Sequence, residues 1–210
     1  MLSHVLCGIL SYLIGSIPTA FLLVRWRSNI DIRSEGSGNV GALNSFQVTR
    51  SKFVGVLVLL LDLLKGVAVV VSASVLFDAE FSFQATAGVA AVAGHNFPVW
   101  LKFKGGRGLA TAAGVMLLMG WPVVLFWGVL WVAGFTLTKD VNLGNAAASA
   151  VEMIGILAAP AGVLGMIFGP SSPALDIKIF GTALFLIILA KHIEPVRNYL
   201  RKSETEARNR

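Results

Sequence analysis

One cysteine, two tyrosines and three histidines stand among the 210 residues, and only 13% of the chain is charged. The lone cysteine, Cys7, excludes an internal disulfide and any multi-cysteine metal site, and reads as a small apolar residue in a helix. Three scattered histidines without His-Glu-x-x-His give no zinc-protease signature, and no metal site is expected. The nucleophile elbow Gly-x-Ser-x-Gly and the Walker A pattern are absent as well. Soluble domains carry about 25% charged residues. A low charge content, 56% apolar residues and a mean hydropathy of +0.78 therefore exclude a water-soluble enzyme and a disordered chain. What remains is an all-α integral membrane protein, because only lipid solvates so much apolar surface.

The start, Met1-Leu2-Ser3-His4, has no basic segment, so a cleaved secretory signal is not expected. Uncharged or nearly uncharged stretches predict spans over 5–24, 53–77, 81–101, 108–138, 143–168 and 177–191. The stretch 108–138 is too long for one upright helix, and Gly120-Trp121-Pro122 divides it in two. Basic residues concentrate in three places: Arg25, Arg27, Arg33, Arg50 and Lys52; then Lys102, Lys104 and Arg107; then six from Lys191 onward. Putting all three on the cytoplasmic side requires the N-terminus outside and an odd number of crossings. We expect seven transmembrane helices, some short, and a cytoplasmic C-terminus. A single transmembrane domain over 1–200 is expected to be followed by a basic cytoplasmic tail at 201–210, solvated and frayed.

In that topology four polar segments share the cytoplasmic side: 31–39, 104–108, 138–142 and 191–194. In the first, Gly36-Ser37-Gly38-Asn39 with Gly41 and Asn44 is a glycine-rich loop. It suits either a nest of backbone N–H groups for an anion or a flexible connecting turn. Lys104-Gly105-Gly106-Arg107-Gly108 adds two cations to the same logic. Backbone donors could wrap a phosphate there, or the loop could serve only to fix topology. Asp62 and Lys65, three apart on a predicted helix, share a face, as a buried ion pair or as ligand contacts. Glu152 reads as a helix-packing partner. His95 lies at an expected helix bend, in a structural or a functional role. His192, at the end of the last span, can act as a base or orient a polar group.

Taken together these residues resemble the bacterial acyl-phosphate:glycerol-3-phosphate acyltransferase family, from about residue 9 to 200. The resemblance is carried by Gly15-Ser16-Ile17-Pro18, Asp31-Ile32-Arg33 and Gly36-Ser37-Gly38-Asn39-x-Gly41-Ala42-x-Asn44. It continues through Asp62-x-x-Lys65-Gly66, Gly94-His95 and Phe103-Lys104-Gly105-Gly106-x-Gly108-x-Ala110-Thr111. The chain departs from the family pattern at Leu43, Gln47, Arg107, Asn142 and Pro195, where Thr, Arg, Lys, Ser and Asn are expected. The resemblance implies seven helices in a bacterial cytoplasmic membrane, acyl phosphate as donor and glycerol 3-phosphate as acceptor. Membrane lipid is a further expected partner; nucleic acid is not.

An acyl phosphate is already activated, so its transfer calls for no cofactor and no covalent nucleophile. It calls for two anions held close, water kept out and charge on the carbonyl oxygen stabilised. On this reading Ser37, Asn39 and His192 are the catalytic candidates: Ser37 or Asn39 donates to the oxyanion, and His192 orients the acceptor hydroxyl or its phosphate. Arg33, Gly36, Gly38, Asn44, Lys104, Gly105, Gly106 and Arg107 are the phosphate-binding candidates. Asp62, Lys65 and His95 form the polar interior. The alternatives are a non-catalytic paralogue that binds anionic lipid or phosphate metabolites, and a small transporter.

Overall fold

The computed structural model describes residues 1–208, and every regular element among them is helical. Residues Met1–Trp121 pack into one compact unit and the residues from Pro122 onward into a second.

The first unit begins with α1 (Leu2–Gly15) and α2 (Thr19–Ser28). The expected span over 5–24 is thus broken in its middle, because Pro18 has no N–H to donate and its ring crowds the preceding turn. A 3-10 turn (Ile32–Ser34) and α3 (Ala42–Thr49) lead to the long α4 (Lys52–Leu76). At 1.5 Å per residue its 25 residues extend about 37 Å, more than a bilayer core. One stripe of α4 is buried: Val54, Val58, Asp62, Lys65, Val69 and Ala73, spaced by three and four as a helix face requires. Val56, Leu60, Leu64, Val71 and Val75 are exposed, as side chains facing lipid would be. Next come α5 (Phe81–Asn96), a 3-10 turn (Val99–Leu101) and α6 (Leu109–Met119). The span expected over 81–101 therefore stops at Asn96, ahead of Pro98.

Glycine lets these helices approach closely where lipid supplies no hydrophobic drive between them. A Cβ on Gly15 would overlap the Ala91 backbone, and one on Gly94 would overlap the Tyr12 carbonyl, so α1 and α5 cross with their backbones nearly touching. Gly66 and Gly114 do the same for α4 and α6, against Thr111 and Leu63. Polar aromatics pin the turn after α5 to α1: Tyr12 Oη donates to the Phe97 carbonyl at 2.6 Å, and Trp100 Nε1 to Ser16 Oγ at 3.0 Å.

Helix α7 (Trp121–Thr138) starts where Gly120-Trp121-Pro122 predicts a break. The second unit continues with α8 (Val141–Ala158), α9 (Ala161–Phe168), α10 (Ala174–Ala190) and α11 (Ile193–Arg208). Pro160 separates α8 from α9, so the segment expected over 143–168 is two helices. Asp140 caps α8, its Oδ1 accepting from the N–H groups of Asn142 and Leu143 at 2.8 and 2.9 Å. Trp127 Nε1 donates to Ser149 Oγ at 3.1 Å, joining α7 to α8, and the Phe168 and Phe180 rings meet edge to face between α9 and α10. Glu152 is buried on α8, and among the described residues its Oε2 has no hydrogen-bond partner. The tail expected to fray continues α11 to Arg208, as good helix formers such as Leu200 and Arg201 allow; 209–210 lie outside the described residues.

Four helices among the described residues are long and apolar enough to cross a membrane: Leu2–Ser28 taken together, α4, α7 and α8. Two glycines separate packing from intrinsic helix preference. Gly114→Val should destabilise by about 1–3 kcal/mol or more, since its side chain has no space against Leu63. Gly128→Ala, with nothing within 4 Å of the added carbon, should stabilise slightly. Thermal unfolding of the two variants in detergent checks the pair, with a lowered Tm expected only for Gly114→Val.

Candidate functional site

The polar end of the first unit is built on α2, α3, the inner stripe of α4 and the end of α5. After α2 the chain turns at Asp31, whose carboxylate accepts from the Arg33 backbone N–H at 3.0 Å. The Arg33 guanidinium returns to grip both oxygens, Nε on Oδ1 at 2.9 Å and Nη2 on Oδ2 at 2.6 Å, and stacks 5.2 Å over the Phe21 ring. This forked bond holds the Asp31 carboxyl down to about 2, from an ordinary 3.8. Arg33 therefore faces its own chain as much as any ligand.

The glycine-rich loop follows. Gly36 and Gly38 adopt left-handed conformations, with φ of 58° and 67°, which a side chain would strain. The loop winds around Asn44, which is buried near the start of α3. Asn44 Oδ1 accepts from the Ser37 N–H at 3.0 Å, and its Nδ2 donates to the carbonyls of Ile32, Glu35 and Asn39 at 3.0–3.3 Å. The side chain expected to hold phosphate is spent on shaping the loop, and one backbone donor expected in an anion nest, that of Ser37, is spent on Asn44. Ser37 itself is exposed and Asn39 half-buried, with the Asn39 N–H 3.4 Å from Ser37 Oγ.

The second loop folds back on the end of α5. The Gly105 N–H donates to the Asn96 carbonyl at 3.3 Å and the Gly106 N–H to the His95 carbonyl at 3.1 Å. Both glycines lack side chains for a reason: a Cβ on Gly105 would overlap the His95 carbonyl and Pro98, and one on Gly106 would overlap His95 Nε2. That same Cβ would come within 2.7 Å of the Val40 carbonyl oxygen, so the two loops meet at Val40 and Gly106. Gly108, at φ 82°, packs against Asn96. Lys104 is exposed and Arg107 half-buried.

Beneath this junction lies the polar interior. Lys65 Nζ is 2.9 Å from Asp62 Oδ1 and also donates to the Ile17 carbonyl at 3.2 Å. The Thr19 hydroxyl donates to the same Asp62 oxygen, and His95 Nδ1 stands 3.6 Å from it. Ser16, Thr19, Val40, Lys65, His95 and Gly105 line a small pocket here. Thr19 and the Ile17 carbonyl escape notice in the sequence, although Pro18 is the signal: it interrupts a helix and so leaves nearby polar backbone groups in need of partners.

The other two polar segments belong to the second unit. Asn142 lies in the first turn of α8. His192, 1% exposed, follows α10, and its Nδ1 is 2.9 Å from the Ile188 carbonyl. A carbonyl only accepts, so Nδ1 carries the proton and Nε2 is the acceptor atom of the neutral ring.

An all-helical membrane fold with two glycine-rich loops meeting over a buried acid–base cluster defines the class: an integral membrane protein with a polar end. Residues 5–202 match the family model for glycerol-3-phosphate acyltransferase. The chain belongs to that family. It is 35% identical over 209 residues to the glycerol-3-phosphate acyltransferase of Endomicrobium trichonymphae, covering 99% of this chain and 98% of that one. The Thermotoga petrophila enzyme is 34% identical over 201 residues, with 93% and 92% covered. The Myxococcus xanthus enzyme is 44% identical over 145 residues, with 69% and 75% covered. The fold matches the crystal structure of an integral membrane glycerol 3-phosphate acyltransferase, PlsY, in its glycerol 3-phosphate form. That match has a TM-score of 0.78 at 30% identity, covering 95% of this chain and 93% of that one.

The Asp31–Arg33 bond has a measurable signature. The order it lends the loop is present above the ordinary carboxylate range and is lost as pH falls toward about 2. Arg33→Met should move the Asp31 titration upward toward 3.8, read by side-chain carboxyl NMR; an unmoved midpoint would contradict the assignment.

Proposed function

We propose that the protein is a multi-pass acyltransferase of a bacterial cytoplasmic membrane. It moves a fatty acyl group from acyl phosphate to the 1-hydroxyl of glycerol 3-phosphate, giving lysophosphatidic acid and phosphate. The observation that carries this reading is the junction of the two glycine-rich loops at Val40 and Gly106, with Lys104 exposed two residues away. Family membership supplies the acceptor: the relatives are named glycerol-3-phosphate acyltransferases, and a second matching crystal structure is a lysophosphatidic acid form. The acyl phosphate donor rests on the resemblance of the motifs.

In this reaction the acceptor hydroxyl oxygen bonds to the acyl carbonyl carbon, the carbon–oxygen bond to phosphate breaks, and the hydroxyl proton leaves with the phosphate. Lys104 and Arg107 hold phosphate oxygens by charge, while Gly105 and Gly106, whose N–H groups are taken by the Asn96 and His95 carbonyls, keep the loop free of side chains where the phosphate approaches. Gly36 and Gly38 let the first loop turn tightly enough to present Ser37 and Asn39 to the developing oxyanion. Asn44 keeps that loop in shape, and Arg33 contributes positive charge at its edge. The resemblance of the motifs assigns His192 the orienting of the acceptor hydroxyl or its phosphate.

The acyl tail stays in lipid. Helices α5, α6 and α10 join the four longer spans to make seven crossings, with the N-terminus outside and the C-terminus cytoplasmic. Arg25, Arg27, Arg50, Lys52 and Lys102 then face the cytoplasm with Lys104, as the positive-inside bias requires.

Purified protein given a long-chain acyl phosphate should release phosphate only when glycerol 3-phosphate is present, and Ser37→Ala should abolish the release. Lys104→Met should lower kcat/KM by about ten- to a hundredfold, the loss of one charge-assisted contact. Tight phosphate or lipid binding without turnover, across a panel of phosphorylated polyols, would instead make the chain a non-catalytic binding protein.

A further inference from the structure

In the transfer proposed above, Asp62 and His95 meet no substrate atom, yet they stand directly under the loop that holds phosphate. The His95 residue supports that loop twice. Its carbonyl accepts the Gly106 N–H at 3.1 Å, and its ring lies so close under Gly106 that a Cβ there would overlap Nε2. The opposite ring nitrogen, Nδ1, stands 3.6 Å from Asp62 Oδ1. Asp62 is itself fixed from two other directions, by Lys65 at 2.9 Å and by the Thr19 hydroxyl, and it is 2% exposed. The His95 ring thus stands between the Asp62 carboxylate and the loop backbone.

A run of Gly105 and Gly106 has little conformational preference of its own, so something outside it must set its path. A ring that turned about its bond to Cβ would enter the space of Gly106 or leave it unsupported. From this we infer that Asp62 is a positioning residue. It sets the orientation of the His95 ring, and through the ring it sets the path of the Lys104–Gly108 backbone and the direction of Lys104 and Arg107. The benefit is preorganisation: the loop meets phosphate already ordered and does not lose that freedom on binding. What the loop binds rests on the function proposed above; how the loop is held does not.

The test reads the loop first and the reaction second. Hydrogen–deuterium exchange of the peptide covering 102–108 is compared in wild type, Asp62→Asn and Asp62→Asn/Lys65→Met, the last leaving no unpaired cation in the span. Both variants should raise exchange in that peptide about tenfold, with exchange in the middle of α4 and α5 unchanged. The apparent Kd for inorganic phosphate and the KM for acyl phosphate should rise by about tenfold with kcat nearly constant. Gly106→Ala, which displaces the ring from the other side, should give the same pattern, and combining it with Asp62→Asn should add little further loss. Unchanged exchange at 102–108 in both Asp62 variants would overturn the inference. So would multiplying effects in the combined variant, or a loss of protection spread equally through α4 and α5, which marks a merely structural cluster. Variant loops that respond as described, beside a wild type that transfers no acyl group, would sink the proposed function and leave this inference standing.

Discussion

The carboxylate of Asp62 is the constraint around which the first unit is arranged. A lone charge at mid-membrane costs about 2.5–3.5 kcal/mol on insertion scales, so the residue persists only in company. Its partner nearest in sequence comes from the same helix, one turn on, where Lys65 shares its face. The others come from distant parts of the chain, Thr19 at the start of α2 and His95 near the end of α5. Three elements are thereby drawn to one atom, and the break between α1 and α2 becomes useful. The Ile17 carbonyl beside Pro18 takes a hydrogen bond from Lys65, so the interruption that would otherwise cost an unpaired polar group is absorbed by the cluster.

Glycine supplies the complementary freedom, and it does so in different ways. In the helices, Gly15, Gly66, Gly94 and Gly114 bring backbones together and leave no room for a larger residue. In the first loop, Gly36 and Gly38 take left-handed conformations that let the chain wrap Asn44. In the second loop Gly105 and Gly106 allow the chain to lie flat on the end of α5. The outcome is an end of the protein where backbone is close to the surface, Ser37 and Lys104 are exposed, and the supports beneath are buried. For a family named for glycerol 3-phosphate, that division of labour places the exposed groups above and their buried supports below.

The helical membrane class was legible from composition, and so were the break at Gly120-Trp121-Pro122 and the approach of Asp62 to Lys65, because each depends on residues within a few positions of one another. The two glycine-rich loops also stood out by their local pattern. The partners of Asp62 did not: Thr19 lies 43 residues before it, and only the packed fold brings that hydroxyl to the carboxylate. The part Asn44 plays in bracing the first loop is hidden for a related reason. A buried amide with several carbonyls around it and an exposed amide facing a ligand look identical in a sequence. The split of the first span at Pro18 was hidden by the surrounding apolar run, which satisfied a hydropathy count while concealing a backbone that could not continue as one helix.

The account depends most on the two loops forming one anion-binding surface on one side of the membrane. The direct measurement is labelling by a membrane-impermeant thiol reagent at Ser37→Cys and, separately, Lys104→Cys, in a background where the buried Cys7 is replaced by Ser. The account predicts that both positions react from the same side and that glycerol 3-phosphate and acyl phosphate together protect both. Reaction from opposite sides, or protection of one position with the other indifferent, would contradict it.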